Sequence, residues 1–357
     1  MAKRYKEVLD RAKKAKLEIL TTWFYFQMKR DPFLTLIEKS ATNHFVNREK
    51  IVEDIIFQIG VAARGIPSTI LLVGPYGSGR TTIINYVKNI LDALNESEDY
   101  NLQGEVFSAE YLFGLPDEID EEFDTQPWIK KAGVDRDYLL IDDVKPNHIK
   151  TINREFVKSR LKLFSLSPLD LDEVLGSLNF TPKVIFLHPL SFDASIEMLK
   201  KRIQIALEKL DKKFPIEQLF KSEALRLIWE CSMGVPLLVL QNCSKALELV
   251  ADFKTNIVTE DIANRACNIS KSFRVKEGIK ALTKTKIELV SKIIEKGNSP
   301  TELSSILQKD RTTISRQLNE LKRQGLVETT YVGRESIYKA TLPSRIAYEL
   351  RRMPEVK

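Results

Sequence analysis

Residues 74–81 have the spacing of a loop that binds phosphate groups. The segment reads Gly-Pro-Tyr-Gly-Ser-Gly-Arg-Thr, with glycine at its first and sixth positions and a hydroxyl group at its eighth. Glycines let the backbone wrap closely round a phosphate, and the N–H groups at the start of the following helix add positive potential. This is the Walker A spacing. The predicted nucleotide contacts are Gly74, Pro75, Tyr76, Gly77, Ser78, Gly79, Arg80, Thr81 and Thr82.

An arginine occupies the position where this loop usually has lysine. Arg80 keeps the positive charge, but a guanidinium group is planar, bulkier and more directional than an ammonium group. We expect nucleotide binding to tolerate this exchange more easily than catalysis, in which the cation reaches the β- and γ-phosphates. The alternative interpretation of the segment is a glycine-rich turn without a ligand.

A second group of residues has the chemistry to hold a metal ion and orient water. The apolar run Tyr138-Leu-Leu-Ile141 ends in Asp142 and Asp143, as in a Walker B strand. We expect Asp142 and the Thr81 hydroxyl to hold Mg²⁺, and Asp143 and Arg80 to be the catalytic residues. Asp143 stands where glutamate is usual, which sets its carboxylate back by about 1 Å, a displacement that can slow a reaction about 100-fold. The alternative is a buried strand with a polar end.

The last part of the chain carries side chains suited to nucleic acid. Ser299, Pro300 and Glu302 form the capping pattern of a helix, and Arg311–Gln324 predicts another helix after a short turn. The first of these helices is expected to bury Leu303, Ile306 and Leu307. Arginine, amide and hydroxyl side chains on the outer face of the second helix are the types that read base edges and phosphates. The predicted DNA contacts of this helix are Arg311, Thr312, Thr313, Ser315, Arg316, Gln317, Asn319 and Arg323.

Residues 284–352 resemble the winged helix-turn-helix of multidrug- and metal-response regulators. The resemblance lies in the pattern Ser-Pro-x-Glu-Leu, then Thr-x-Ser-Arg-x-Leu and Gly-Leu-Val, before an alternating hairpin. It implies that the Arg311–Gln324 helix enters the major groove of double-stranded DNA and that Arg334 contacts a minor groove or a phosphate. Residues 284–357 hold 15 Lys and Arg against 9 Asp and Glu, which accounts for the whole net charge of +6 and favours this interpretation. A winged helix that binds protein is the alternative.

Apolar runs that alternate with helical patterns predict an α/β fold with a mostly parallel sheet. The predicted strands are Ser68–Val73, Tyr138–Ile141 and Lys183–Leu187, and residues 45–62 and Thr81–Leu94 predict helices. The predicted domains are a basic helix over residues 1–40, a nucleotide-binding core over 41–190, a helical lid over 191–282 and a winged helix-turn-helix over 283–357.

Three further segments complete a resemblance to AAA+ ATPases over roughly residues 40–275. Phe45-Val-Asn-Arg-Glu49 resembles a box found in archaeal origin-recognition initiators and in STAND ATPases. Gly234-Val-Pro236 resembles the sensor 2 segment of the lid, and Val258–Ile262 resembles the turn that closes it. The resemblance implies ATP or ADP and Mg²⁺ as cofactors. It places near the nucleotide the residues Val46, Arg48 and Pro236.

Several positions depart from the AAA+ pattern. Leu237 stands where replication-type members carry the sensor 2 arginine, and the candidates for the polar sensor at the end of the third predicted strand are His188 and Ser191. Together with Arg80 and Asp143, these departures predict that ATP is bound and hydrolysed slowly or not at all. Leu237 favours the STAND-like branch.

The sequence therefore predicts an ATP-binding, double-stranded DNA-binding protein of initiator type, which marks a DNA site or recruits other proteins under nucleotide control. A transcriptional regulator that senses ATP, a STAND-like signalling switch and a scaffold that keeps ADP are the alternatives. The expected partners are DNA, nucleotide and either a second copy of the chain or another DNA-processing protein. We do not expect the protein to bind a membrane.

Cysteine usage and the N-terminus bear on the compartment. Cys231, Cys243 and Cys267 are odd in number and form no Cys-x-x-Cys pair, which argues against a disulfide framework and a zinc site. The apolar patch Leu17–Met28 is interrupted by polar residues and is not followed by a cleavage site, so we do not expect a signal peptide. The expected location is the cytoplasm, in association with the nucleoid.

Overall fold

The computed structural model of the protein describes residues 32–33, 46–96, 104–109, 137–155, 159–207, 215–252, 255–269, 275–295, 297–333 and 335–355. The chain divides into two compact units, one of Ile37–His188 with Tyr348–Lys357 and the other of Met1–Leu36 with Pro189–Ala347. The predicted basic helix over residues 1–40, apart from residues 32–33, and the predicted DNA contact Arg334 lie outside the described residues.

Parallel strands form the centre of the first unit. In the described part of the chain the sheet has five strands, in the order β2-β3-β4-β1-β5, and all of their pairings are parallel. The strands are β1 (Ser68–Val73), β2 (Gly104–Ser108), β3 (Tyr138–Asp142), β4 (Leu161–Leu166) and β5 (Lys183–Phe186). The predicted α/β fold class and its three predicted strands are confirmed, although β5 ends one residue earlier than expected.

Helices that precede β1 or link β1 to β2, β3 to β4 and β4 to β5 cover both faces of the sheet. They are α1 (Glu49–Ala63), α2 (Arg80–Glu96), α3 (Ile149–Glu155) and α4 (Leu171–Ser177). Successive side chains of a strand point to opposite faces. In β1, Ile70 and Leu72 accordingly join a cluster with Ile84 of α2, whereas Leu71 and Val73 belong to the cluster on the other face. Strand β1 is therefore packed on both of its faces.

Strand β4 was not among the predicted strands, and it lies between β1 and β3. A lysine and a serine interrupt its apolar run, which reads Leu-Lys-Leu-Phe-Ser-Leu, yet every residue of the strand is buried. Lys162 is 4% exposed. Its ammonium group donates a 2.6 Å hydrogen bond to the Ser159 carbonyl oxygen and lies 5.5 Å from the centre of the Phe180 ring. These contacts stabilise the charge of Lys162, whose presence in the run made the strand hard to predict from the sequence. Burial lowers the pKa of Lys162.

The described residues of the second unit between 192 and 280 are mainly helical. Its helices are α5 (Phe192–Ala206), α6 (Ser222–Cys231), α7 (Pro236–Asp252), α8 (Glu260–Ile269) and α9 (Val275–Lys280). Gly234 precedes α7 with a φ of +68°, and a Cβ atom there would lie 2.5 Å from the Leu190 carbonyl oxygen. Glycine is therefore required at this position, and Pro236 begins α7, where its missing N–H group costs no hydrogen bond.

Three helices and a hairpin follow, as the sequence predicts. They are α10 (Lys284–Glu295), α11 (Pro300–Leu307), α12 (Arg311–Arg323), β6 (Val327–Val332) and β7 (Glu335–Ala340), and a last helix, α13 (Leu342–Arg351), spans the boundary of the two units. The prediction that Ile306 is buried is wrong, because its side chain is 52% exposed. Of the three residues that were predicted to be buried in α11, only Leu303 is fully buried. The helix has eight residues, so only a small part of its surface is in contact with the core.

No helix among the described residues is both long enough and apolar enough to cross a membrane.

Candidate nucleotide site and nucleic-acid interface

The glycine-rich loop connects the end of β1 to the first residue of α2. A Cβ atom on Gly74 would lie 2.5 Å from the Ser78 Oγ and 2.8 Å from the Leu187 Cβ, and Gly77 and Gly79 have positive φ angles of 79° and 99°. Only glycine fits such close approach and such backbone angles at no cost. The loop is therefore built as its spacing predicts.

Two polar atoms of the loop are buried without a hydrogen bond to any described residue. They are the Ser78 Oγ and the Arg80 Nη1, and Arg80 is 8% exposed. A buried polar atom without a partner costs about 1–3 kcal/mol, so such atoms indicate a ligand that supplies the missing partner. A hydroxyl and a guanidinium N–H are both donors to phosphate oxygens.

The predicted metal-binding residues lie side by side. The Thr81 Oγ1 donates a 2.5 Å hydrogen bond to the Asp142 Oδ2, and the Ser165 hydroxyl donates to the other carboxylate oxygen of Asp142. Ser165 also accepts a 2.9 Å hydrogen bond from the Asp143 N–H. Hydroxyl and carboxylate oxygens are the ligands that Mg²⁺ prefers, so Thr81 and Asp142 fit this ion.

The two predicted catalytic side chains contact each other. The Arg80 Nη2 lies 3.2 Å from the Asp143 Oδ1, and the Lys145 Nζ lies 3.5 Å from the same oxygen. Asp143 has a φ of +60°, which holds it in a left-handed backbone conformation. Lys145 also contacts Asp170 at 3.1 Å; burial raises the pKa of Asp170, and Lys145 opposes the rise. Asp143 thus lies in a cationic setting provided by the protein itself.

The box upstream of α1 lies beside the end of β5. Val46 is buried, and the Arg48 Nη2 donates a 2.6 Å hydrogen bond to the His188 carbonyl oxygen. Burial lowers the pKa of Arg48 to about 10, so it stays charged at neutral pH. Pro236, the third residue expected near the nucleotide, belongs to the other compact unit. Thr82 lies in the first turn of α2, half-buried.

The outer face of α12 presents the predicted DNA contacts. Asp310 caps the helix by accepting hydrogen bonds from the N–H groups of Thr312 and Thr313, and an apolar stripe on the opposite face anchors it in the core. Five of the predicted contacts are exposed, namely Arg311, Thr312, Arg316, Asn319 and Arg323, and three are half-buried, namely Thr313, Ser315 and Gln317. The helix therefore offers cations and amides on one surface.

Comparison with known proteins agrees with both halves of this description. Residues 283–329 match the family model described as "Bacterial regulatory protein, arsR family". The structure of the ORC1 protein of Aeropyrum pernix in complex with DNA is similar to this chain with a TM-score of 0.50 and 16% identity, over 85% of this chain and 92% of that one. The core has the AAA+ fold. The C-terminal module is a winged helix-turn-helix, so both predicted resemblances are confirmed.

Two further similarities are weaker and carry no weight in the fold assignment. A structure of Drosophila ORC bound to DNA has a TM-score of 0.47 and 13% identity, over 94% of this chain and 92% of that one. The RuvB Holliday junction branch migration motor of Thermotoga maritima has a TM-score of 0.43 and 16% identity, over 82% of this chain and 92% of that one. No curated protein sequence is significantly similar to the chain.

Strand β4 changes which residues can serve as the polar sensor of the AAA+ core. Because β4 pairs with β3, the polar group beside Asp142 is Ser165. The expected sensor candidates, His188 and Ser191, follow β5, which pairs with β1 and not with β3. Ser191 caps α5 by accepting a 3.2 Å hydrogen bond from the Ala194 N–H, and His188 follows β5, beyond β1 in the sheet. The sequence signal for this position is the pair of serines at 165 and 167, the first of which comes directly after the apolar residues Leu163 and Phe164.

Proposed function

We propose that this protein binds ATP or ADP with Mg²⁺ and binds double-stranded DNA, and that it hydrolyses ATP slowly or not at all. It marks a DNA site or recruits another DNA-processing protein under the control of the bound nucleotide, in the manner of an initiator. The observation that carries the proposal is the buried pair of donors in the loop, the Ser78 Oγ and the Arg80 Nη1, which have no described partner.

The residues of the loop account for nucleotide binding. Backbone N–H groups at the start of α2 would cradle the phosphates, and Thr81 and Asp142 would hold the metal ion, which would neutralise part of the phosphate charge. Ser78 and Arg80 would donate their remaining hydrogen bonds to phosphate oxygens. Val46 and Arg48 would lie toward the base.

The same residues account for slow hydrolysis. A general base or water-positioning carboxylate must be within hydrogen-bond reach of the attacking water. Asp143 is one methylene shorter than glutamate, and its carboxylate contacts two cations, Arg80 and Lys145. These two contacts already engage the carboxylate that would otherwise orient the attacking water. Binding without rapid turnover suits a protein whose nucleotide state is a signal.

DNA binding is supported by the surface of α12 and the charge of its module. The residues from 284 onward carry the entire net positive charge of the chain, and charge of this kind supplies most of the affinity for phosphates. Arg316 and Asn319 are exposed on one face of the helix. The ORC1 structure to which the chain is similar is itself a complex with DNA.

The match of residues 283–329 to a family of regulatory proteins favours one second candidate, a transcriptional regulator whose AAA+ core senses ATP. The two candidates differ in the DNA that they select. A regulator would protect a site beside a promoter, whereas a site marker of initiator type would protect an origin-like site and retain a second DNA-processing protein there. Footprinting on genomic fragments distinguishes them.

The test measures binding to duplex DNA over a range of salt concentrations with ATP, ADP or no nucleotide. Arg316→Glu should weaken binding about 10- to 100-fold and flatten the salt dependence. Lys284→Glu changes the net charge equally but lies on α10, so it should have a much smaller effect.

Equal losses in the two variants would mean that α12 is not the DNA-reading helix. Absence of DNA binding under every condition, with nucleotide still bound, would contradict the proposal and favour a signalling switch. Different DNA affinities with ATP and ADP would support control by nucleotide.

A further inference from the structure

A carboxylate of the protein contacts the phosphate-binding loop. Glu349 lies in α13 and belongs to the same compact unit as the loop. Its Oε2 accepts a 2.5 Å hydrogen bond from the backbone N–H of Tyr76, the third residue of the loop. Its Oε1 accepts a 3.1 Å hydrogen bond from the Ser167 hydroxyl. Glu349 is fully buried, with 0% of its surface exposed.

A fully buried carboxylate is costly unless donors surround it. Here the donors come from the two loops that follow β1 and β4, which are adjacent strands whose carboxyl ends lie at the same edge of the sheet. This edge is where parallel α/β sheets bind their ligands. Ser167 is itself held in place, because its Oγ accepts a 3.2 Å hydrogen bond from the Leu169 N–H. The carboxylate therefore lies in a preformed anion site.

We propose that Glu349 holds one donor of the phosphate-binding loop, the Tyr76 N–H, and that nucleotide must displace it in order to bind. The inference rests on the proposed function, since it assumes that the loop binds nucleotide phosphates. The C-terminal segment, residues Tyr348–Glu355, is then a competitive inhibitor that is part of the chain. Its release is the conformational change that ATP or ADP causes.

Charge makes the competition strong. A carboxylate and a phosphate are both anions that seek the N–H groups of one loop, and at a few ångströms in a partly dry site their repulsion is several-fold larger than in water. If the occupied state predominates, the apparent affinity for nucleotide falls by the fraction of molecules in which the site is open. Adenosine lacks phosphates, so its affinity should not depend on the Glu349 carboxylate.

The competition between Glu349 and nucleotide should also affect the winged helix, because Glu349 lies on a helix that continues from it. Glu349 lies on the helix that directly follows the hairpin strand β7, with Thr341 between them. Displacement of Tyr348–Glu355 therefore moves or unwinds the end of a helix whose beginning belongs to the unit that carries α12. A ligand shifts an equilibrium only through its different affinity for two states, and the contact of Glu349 with the loop supplies that difference for ATP and ADP.

The first experiment compares wild type, Glu349→Gln and Glu355→Gln by calorimetric titration with ATP, ADP and adenosine. Glutamine keeps the shape of Glu349 without its charge, and Glu355 is an exposed carboxylate of the same segment. Loss of a charge-assisted contact to the loop should raise affinity for ATP and ADP about tenfold or more. Glu355→Gln should match wild type, and adenosine should bind the three proteins equally.

The second experiment uses the wild-type chain, so it does not depend on the folding of a variant. Amide hydrogen exchange of residues 348–355 should become faster when ATP or ADP saturates the protein. Unchanged or slower exchange with nucleotide bound, or equal nucleotide affinities of wild type and Glu349→Gln, would overturn the inference and leave the proposed function standing. If neither protein bound nucleotide, the proposed function would fail with it.

Discussion

The glycine-rich loop and helix α12 differ in how the side chains of their predicted contacts are placed. In the loop these groups contact other groups of the protein: Arg80 lies 3.2 Å from Asp143, Thr81 contacts Asp142, and the Tyr76 N–H donates to Glu349. On α12, by contrast, Arg311, Arg316 and Arg323 are exposed to solvent.

This difference indicates that the two regions need different amounts of rearrangement before they can bind a ligand. A site in which several donors and acceptors already contact one another must exchange those contacts for a ligand, so binding there is coupled to rearrangement. An exposed cationic helix can contact DNA without rearranging. The nucleotide site therefore has the properties of a switch and α12 those of a preformed reader, which is how the proposed function divides them.

The largest effect is expected from restoring the usual residues of the nucleotide site. Arg80→Lys with Asp143→Glu should place a compact cation beside the phosphates and move the carboxylate by about 1 Å, which can raise the rate of hydrolysis about 100-fold. The measurement is steady-state phosphate release at saturating ATP and duplex DNA. Each single variant should fall short of the double variant, because the partner residue is unchanged.

A matched control exists in the same unit. Arg160 and Asp137 form a contact of 3.6 Å at the amino ends of β4 and β3, so Arg160→Lys with Asp137→Glu makes the same exchange away from the site and should not change the rate. Adding Asp142→Asn to the active double variant should abolish the gain. A double variant as slow as wild type would show that the altered residues are not what limits hydrolysis.

Much of this comparison was accessible from the sequence. The glycine spacing predicts the loop, and the buried stripe Ile314, Leu318 and Leu321 fixes the outer face of α12. Both signals are local in the chain. The exact bounds of the lid and winged-helix domains stay predictions, as do the roles of the individual site residues.

What the sequence did not predict depends on distant contacts. Strand β4 contains Lys162, whose charge is satisfied by a carbonyl oxygen and an aromatic ring, so its pattern resembles no buried strand. The contact of Glu349 with Tyr76 joins residues 273 positions apart. A glutamate on a terminal helix carries no local sign of such a contact, and Ile306 is exposed because a short helix offers little buried surface.

A smaller effect concerns the stability of the unit that holds the glycine-rich loop, which should fall as the pH is lowered. Burial lowers the pKa of His148, which follows Asp143, to about 4, and Lys145 adds to the shift. The unfolded chain binds this proton near pH 6.5, so the contribution of His148 to stability is complete above that pH and is lost as the pH falls toward 4. The loss between pH 7 and pH 5 is roughly 2 kcal/mol.

His148→Asn removes the titrating group and keeps an acceptor for the Lys145 N–H, which now bonds to the His148 Nδ1 at 3.1 Å. Urea denaturation of the variant should show less dependence on pH between 7 and 5 than the wild type. His188→Asn is the control, because His188 is more exposed and its lowered pKa should matter less. An unchanged pH dependence in His148→Asn would place the acid-sensitive group elsewhere.

The smallest effect concerns how α11 supports helix α12, the proposed DNA-reading helix. Ser299 caps α11 by accepting a 3.3 Å hydrogen bond from the Glu302 N–H, and the Glu302 carboxylate accepts one of 2.8 Å from the Ser299 N–H. Ser299→Ala should cost about 1 kcal/mol and speed amide exchange in Leu303–Leu307 about fivefold, whereas Ser305→Ala in the same helix should change little.

DNA affinity should stay within about twofold of wild type in Ser299→Ala. The reason is that α12 has its own cap, Asp310, and a stripe of buried leucine and isoleucine on its inner face, so a loosened α11 leaves the position of Arg316 unchanged. A tenfold loss of DNA affinity in Ser299→Ala would mean that α12 depends on α11 for its shape. Helix α12 would then have to become ordered before it could bind DNA. Both regions would in that case rearrange on binding, and they would differ only in the extent of the rearrangement.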